Sequence, residues 1–430
     1  MNLRRLSKAL FQFDAHYPRT IIATVIFITI VIGWKIFELE MDPAISSSLP
    51  RDHKIVKSME KVDSLFSGSD ILIIAVESDS LFSEVTLKKL SIFQDSLDSI
   101  GLISRVTSIF NQNYILPDNN GFEIEPLLID IPSDSLAVQE LKKRIKNSGM
   151  LGNLVSNDFK TLSFICQINS SFEYDEFQFR KDIFGLVNRF SDPEHFFVSS
   201  LPITRATVIE YMQRDMRVFT PVAIGLCIFL LMLSFRSWAG VFLPFFVVSF
   251  SIIWTFGIMG WFEMPLAFIG TLIPVMLVAI ANNYGIHIIS HYFEYSRSDP
   301  ESTKGQILRK TIRKVGIPIL LAGLTTMISF LCLLSHSLPR AREMGLLVSF
   351  GILIAFILSI VLIPSVLVLL PRPRYALNKE KKSTMDAFLI GMGKFFIKYK
   401  TRVLTSLAII SIWLTLGIKD LKVDSNPDHY

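Results

Sequence analysis

The chain has 430 residues, of which 50% are apolar and only 19% charged, with 35 Phe and a mean hydropathy of +0.46. That balance excludes a disordered chain, a collagen and a nucleic-acid-binding polycation, and it marks an integral membrane protein with one sizeable polar domain. Three cysteines (Cys166, Cys227, Cys332) in no CxxC spacing give neither a disulfide framework, a redox motif nor a zinc site. No cofactor or metal is implied, and no nucleic acid is expected as a partner.

In chain order, residues 1–19 form a leader with Leu6, Leu10 and Phe13 on one face and Arg4, Arg5 and Lys8 beside them. It suits either an amphipathic stretch on the inner membrane surface or a plain cytosolic leader. Residues 20–39 hold the first apolar run, broken only by Lys35. The run sits behind about 20 residues and lacks a small-residue cleavage site, so it reads as a span and not a signal peptide. Residues 40–216 contain no comparable run. Five further spans follow within 217–371, at about 218–234, 239–259, 266–289, 317–334 and 345–370. A basic linker (372–401), a seventh span (402–419) and residues 420–430, the expected truncated start of a second external domain, follow.

Loop Lys and Arg set the orientation. Arg4, Arg5, Lys8 and Arg19 precede span one; Arg297, Lys304, Arg309, Lys310, Arg313 and Lys314 follow span four; Arg372, Arg374, Lys379, Lys381 and Lys382 follow span six. Alternate threading puts all three groups on one side, the expected cytoplasm, and residues 40–216 on the other, the expected periplasm of an inner-membrane protein.

Within 40–216 the residues 70–76 read as a buried strand. Residues 83–100 read as a helix capped by Ser83, with Leu87, Leu90, Phe93, Leu97 and Ile100 on one face. Strands at 102–110, 160–169 and 194–199 and a helix at 174–190 complete two βαβ-type units, an α+β domain of ferredoxin-like, split-βαβ kind. Residues 111–132, with Pro117, Asn119, Asn120, Gly121 and Pro126, read as loop. No paired carboxylate, HxxxH or GxSxG occurs in this domain, and its job is expected to be binding or gating. An enzyme is not expected.

The start of the chain also lies over its end at a constant offset. Phe13 falls on Phe395, Tyr17 on Tyr399, Ile21 on Val403, and Leu39 and Asp42 on Leu421 and Asp424. This suggests a duplication in which the seventh span opens a second half.

Several ordered motifs in spans two to six carry a family resemblance. They are Ser234-Phe235-Arg236-Ser237, Leu243-Pro244, Tyr284-Gly285-Ile286-His287, Leu324-Thr325-Thr326 with Ser329-Phe330, Phe350-Gly351-Ile352 and Leu362-Ile363-Pro364. Together they resemble the resistance-nodulation-division (RND) superfamily, nearest its MMPL-type, sterol-sensing-domain-like bacterial lipid exporters. The resemblance implies an α-helical membrane bundle carrying an inserted extracytoplasmic α+β porter domain. It also implies a second half or a homo-oligomeric partner, and gradient-driven movement of lipids or other hydrophobic molecules in contact with membrane lipid. The alternative is a non-pumping lipid- or sterol-sensing module that regulates a partner.

The resemblance also puts a protonatable Asp in span four, where this chain has Asn283 behind Asn282 and ahead of Tyr284. An amide hydrogen-bonds but does not exchange a proton near neutrality. Three readings stay open. Coupling is absent from this half; or Asn282 and Asn283 join Thr325 and Thr326 to hold a cation such as sodium; or H+ coupling has moved to His287, four residues on and on the same helical face, with His291 beyond it. Polar glue between helices is the plain alternative for Thr325 and Thr326, and an interfacial pair near the cytoplasmic mouth for the two histidines.

Overall fold

A computed structural model describes residues 17–43, 49–50, 52–54, 56–58, 61, 70–118, 121–169, 174–235, 237–371 and 384–417. The amphipathic leader and residues 420–430, with half of the proposed duplication, lie outside the described residues.

Helix α1 (Pro18–Gly33) runs on as a 3-10 turn to Glu38, and β1 (Met41–Asp42) follows it. The polar domain then opens with β2 (Ile71–Glu77), α2 (Glu84–Asp98) and β3 (Ile103–Thr107). Ser83 caps α2 by accepting from the backbone N–H of Thr86, as its place before the apolar stripe predicts. Next come β4 (Asn113–Asp118) and β5 (Gly121–Pro126), an antiparallel hairpin where the sequence reads as loop. Asp118 pairs with Gly121, and Tyr114 and Ile115 face Glu125 and Ile124 across the ladder. Helix α3 (Ser135–Asn147) starts at Asp134, whose carboxylate accepts from the backbone N–H of Ala137. β6 (Thr161–Ile168), α4 (Glu176–Phe190) and β7 (His195–Ser200) complete the domain.

The sheet order is β3-β6-β2-β7, with every neighbouring pair antiparallel. Each βαβ unit therefore skips a strand, the split arrangement. Strand alternation sends Leu72, Ile74, Val76, Leu162, Phe164 and Cys166 to the helix side, where Leu87, Leu90, Phe93 and Leu97 of α2 and Phe179, Ile183 and Val187 of α4 meet them. Phe93 lies edge-on to Phe164, Phe190 and Phe196, at ring separations of 5.3, 5.3 and 5.1 Å.

Helix α5 (Leu201–Phe235) starts directly after β7 and is unbroken for 35 residues, roughly 52 Å. The boundary expected at 216/217 thus falls inside one continuous helix, which carries Pro221 in its interior. The bundle continues with α6 (Trp238–Trp261), β8 (Leu266–Ala267), a 3-10 turn (Phe268–Leu272) and α7 (Ile273–Ser298). α8 (Lys304–Leu331) and α9 (Pro339–Leu369) close it. Six of these helices are long and apolar enough to cross a membrane, α1 and α5 to α9. The residues expected as a seventh span lie in α11 (Lys400–Leu416), 17 residues with no buried side chain and not one of those six, after α10 (Thr384–Lys398) in what reads as the basic linker.

Helices α6, α7 and α9 form the centre of the bundle, and α1, α5 and α8 lie around them. The three central helices meet at Gly351 of α9, where a Cβ would come within 2.8 Å of Leu277 and Thr255; Ser251 donates to the Gly351 carbonyl at 2.6 Å. At the end of the bundle that bears the domain, β1 pairs in parallel with β8, tying the exit of span one to the entry of span four. At the opposite end Lys304 donates to the carbonyls of Val368 and Leu370, a cation set on the last turn of α9.

Candidate functional site

The sequence-predicted residues sit on α7 and α8, and the structure divides them between two faces. Tyr284 points inward. Its ring lies edge-on to Phe356 of α9 at 6.2 Å, and its hydroxyl lies where a side chain on Gly323 of α8 would begin, 3.3 Å from that Cβ position. Gly323 is therefore the notch that admits the phenol. The Tyr284 hydroxyl is buried and has no hydrogen-bond partner, as have the Asn282 carbonyl oxygen and the Ser359 hydroxyl. Unpaired polar atoms in a packed core are uncommon and cost free energy; Thr220, Ser296 and Arg340 carry others elsewhere in the bundle.

Asn283 and His287 point outward. Both are exposed, and Ala279, Ser290 and Glu294 are exposed with them. The steps of four, four, three and four residues place all five on one stripe of α7. Neither Asn283 nor His287 has a hydrogen-bond partner among the described residues. His291, by contrast, is occupied: its Nδ1 lies 2.7 Å from Glu294 Oε2, and its ring stacks on Tyr295.

Thr325 and Thr326 are also taken up locally, since both hydroxyls donate to the Ala322 carbonyl at 2.9 Å. Ser329 repeats the pattern on the carbonyl of Thr325. This back-bonding to the preceding turn satisfies a hydroxyl inside an apolar layer without a partner helix. No hydrogen bond joins the threonine pair to Asn282 or Asn283, and among the described residues no group of His, Cys, Asp and Glu is placed to hold a metal ion. Sequence reasoning found the span-four cluster but missed Ser290, Glu294, Gly323, Phe356 and Ser359. The first two were legible as continuations of the stripe at helical spacing; the others belong to different helices, and only the packing connects them.

A helical membrane bundle with a split-βαβ domain hung on its second span, and a polar cluster midway along its fourth, defines a class of membrane protein. The chain belongs to the MMPL family, whose family model matches residues 47–403, and it is a membrane protein of RND/MMPL type. It is also similar to the Methanocaldococcus jannaschii protein MJ1562, whose name describes it only as a membrane protein. The two are 24% identical over 400 residues, covering 88% of this chain and 98% of the relative.

Proposed function

We propose that this chain is a transporter unit that moves lipids or other hydrophobic molecules across or out of the inner membrane, with its α+β domain on the periplasmic side and its basic loops in the cytoplasm. The observation that carries this reading is α5, one helix that belongs to both the domain and the bundle. Its domain half is bolted down. Arg205 reaches Asp70 at 3.0 Å and Glu176 at 2.6 Å, and Arg180 of α4 reaches Glu210 of α5 at 2.5 Å. A tilt of α5 within the membrane is thereby carried to the sheet, which is what a pump needs if motion among the spans is to displace cargo in the domain. In this reading the chain binds and moves its cargo without changing a covalent bond in it.

Coupling to H+ or Na+ does not run through a carboxylate at residue 283, because an amide neither gains nor loses a proton there. The same observation favours a second reading, a non-pumping module that senses lipid or sterol and regulates a partner.

One experiment separates the two: the purified chain in vesicles, with transfer of a fluorescent phospholipid followed with and without an imposed proton or sodium gradient. Transfer faster than in protein-free vesicles supports the transporter. Lipid-dependent thermal stabilisation with no transfer in any gradient overturns it in favour of the sensor.

A further inference from the structure

Helix α8 is 28 residues long and holds no Asp or Glu. Its first turns carry Arg309, Lys310, Arg313 and Lys314, all exposed. At helical spacing these four share one face, and the same face continues as Ile317, Leu321, Leu324 and Ile328, also exposed. The opposite face, with Leu308, Val315 and Ile319, is buried in the bundle. Arg309 stands four residues before Arg313, and Lys310 four before Lys314, so the members of each pair repel. Lys310 is partly answered by Asp299, 3.9 Å away, and by the Tyr295 ring, 4.8 Å from its Nζ. Arg309, Arg313 and Lys314 have no hydrogen bond or ion pair among the described residues. The preference of Lys and Arg for the cytoplasmic side accounts for cations in this stretch, but it is indifferent to which face of the helix bears them.

We propose that this face of α8 holds one anionic phospholipid, its phosphate between Arg309, Arg313 and Lys314 and an acyl chain along the apolar row that follows. Three observations favour this occupant. The charges come first along the helix and the apolar row second, the order in which a bilayer presents phosphate and then hydrocarbon. Arg313 precedes Ile317 by four residues, about 6 Å of helix rise, so a phosphate held at Arg313 leaves the chain beside Ile317. A phosphodiester accepts the parallel N–H groups of a guanidinium, and one anion between the cations offsets the repulsion within each pair. The scaffold is also fixed before any lipid arrives. Thr303 and Gln306 close a capping box at the start of α8, and Lys304 donates to the Val368 and Leu370 carbonyls at the end of α9. A soluble anion uses the charges but not the apolar row, and an acidic protein segment needs no hydrocarbon beside its carboxylates. The bound lipid sets the depth of α8, and with it the position of the Gly323 notch that receives Tyr284. The site stands whether the chain pumps or senses, because it concerns bilayer lipid and not cargo.

The test uses the full chain in micelles carrying dioleoyl phosphatidylglycerol or dioleoyl phosphatidylcholine, with bound lipid counted by native mass spectrometry. Phosphatidylglycerol is expected to bind in preference to phosphatidylcholine. The triple variant Arg309→Gln, Arg313→Gln, Lys314→Gln should weaken that binding at least about tenfold, since each cation near anionic lipid is worth roughly a factor of five. The triple variant Lys394→Gln, Lys398→Gln, Lys400→Gln removes the same charge from α10 and α11, where all three side chains are exposed, and should leave the binding unchanged. Without lipid, both variants should melt with the parent chain. Dihexanoyl phosphatidylglycerol, with the charge but little chain, should bind more weakly than the dioleoyl lipid, and inorganic phosphate at the same concentration should give no thermal stabilisation. Equal losses from the two triple variants overturn the proposal, as does phosphatidylcholine bound as tightly as phosphatidylglycerol. So do full stabilisation by phosphate alone, and a photo-crosslinker at residue 313 that captures protein but no lipid in native membranes.

Discussion

Arg340, at the start of α9, is bonded to Asp42, the residue that closes β1 after the first span. The same guanidinium reaches Glu343 at 2.7 Å. Only 9% of the Arg340 side chain is exposed, and 18% of that of Asp42. The exits of span one and the entry of span six are thus clasped by a charge pair out of water, next to the parallel pairing of β1 with β8. A buried pair is a poor source of net stability, but breaking one side strands the other charge. Arg340→Ala is expected to cost about 2–4 kcal/mol, read as a lowered melting temperature in detergent. Asp42→Asn should cost less, since the amide oxygen still accepts and Glu343 still balances the arginine. Equal losses from the two variants would show that the clasp does not depend on charge.

Span one meets span three through glycines. A Cβ on Gly257 would stand 2.3 Å from the Ile32 carbonyl oxygen, and one on Gly260 would stand 2.3 Å from that of Lys35. Both obstacles are backbone and cannot rotate away. Trp254 adds a hydrogen bond from its indole N–H to Thr29 at 2.8 Å, which fixes the register of the pair. Gly257→Ala should push α1 off α6 and cost about 1–3 kcal/mol. Gly225→Ala, on α5 with open space around it, should be neutral or slightly stabilising. Thermal melts of the two variants side by side check the contrast.

The same contrast between spacing and packing decides how much was legible beforehand. Strand β6 and the capped helix α2 followed from alternation and from Ser83, because a half-buried element writes its buried face into the sequence; β2 read as a buried strand from its unbroken apolar run, whereas Ile71 and Ile73 are exposed on the face away from the helices. The hairpin β4–β5 did not emerge this way, because Pro117 and Gly121 weigh toward loop; the sequence Asn119-Asn120-Gly121 between two stretches of alternating residues was the signal to follow. Helix α3 buries only Leu141 and Ile145 fully among many charges, too narrow a stripe to read. At the site, the spacing of Asn283 and His287 shows that they share a face. It does not show that this face looks away from the bundle, which depends on which neighbours fill the other sides. The Thr325–Thr326 pair was legible as polar in an apolar span, but its satisfaction by the Ala322 carbonyl was not.

Phe93 is the keystone of the α+β domain. It is fully buried, and three other rings set their edges or faces against it. Removing it leaves a cavity on the helix-covered side of the sheet, walled by Phe164 of β6, Phe190 of α4 and Phe196 of β7. Phe93→Ala should therefore destabilise the domain by about 3–5 kcal/mol, and Phe93→Leu by roughly half of that. Limited proteolysis between residues 70 and 200 reads the effect. If α5 couples domain and bundle as proposed, lipid transfer should fall with it, while the bundle itself stays folded.

Cys166 lies in the same core, on β6, with no exposed surface. Burial, with the Asp98 carboxylate nearby, pushes its thiol up from 9.0 to about 12. A folded value above the unfolded one means that the native state holds this proton more tightly. Its contribution to stability is complete below pH 9 and is lost as pH rises from 9 towards 12. At pH 9 the folded domain should leave Cys166 unlabelled by a small alkylating reagent, while Cys332, exposed just beyond α8, reacts. Cys166→Ala should flatten the alkaline loss of domain stability above pH 9, at the expense of a small cavity. Labelling of Cys166 in the folded protein at the rate of Cys332 would mean that β6 opens to solvent far below the global unfolding limit.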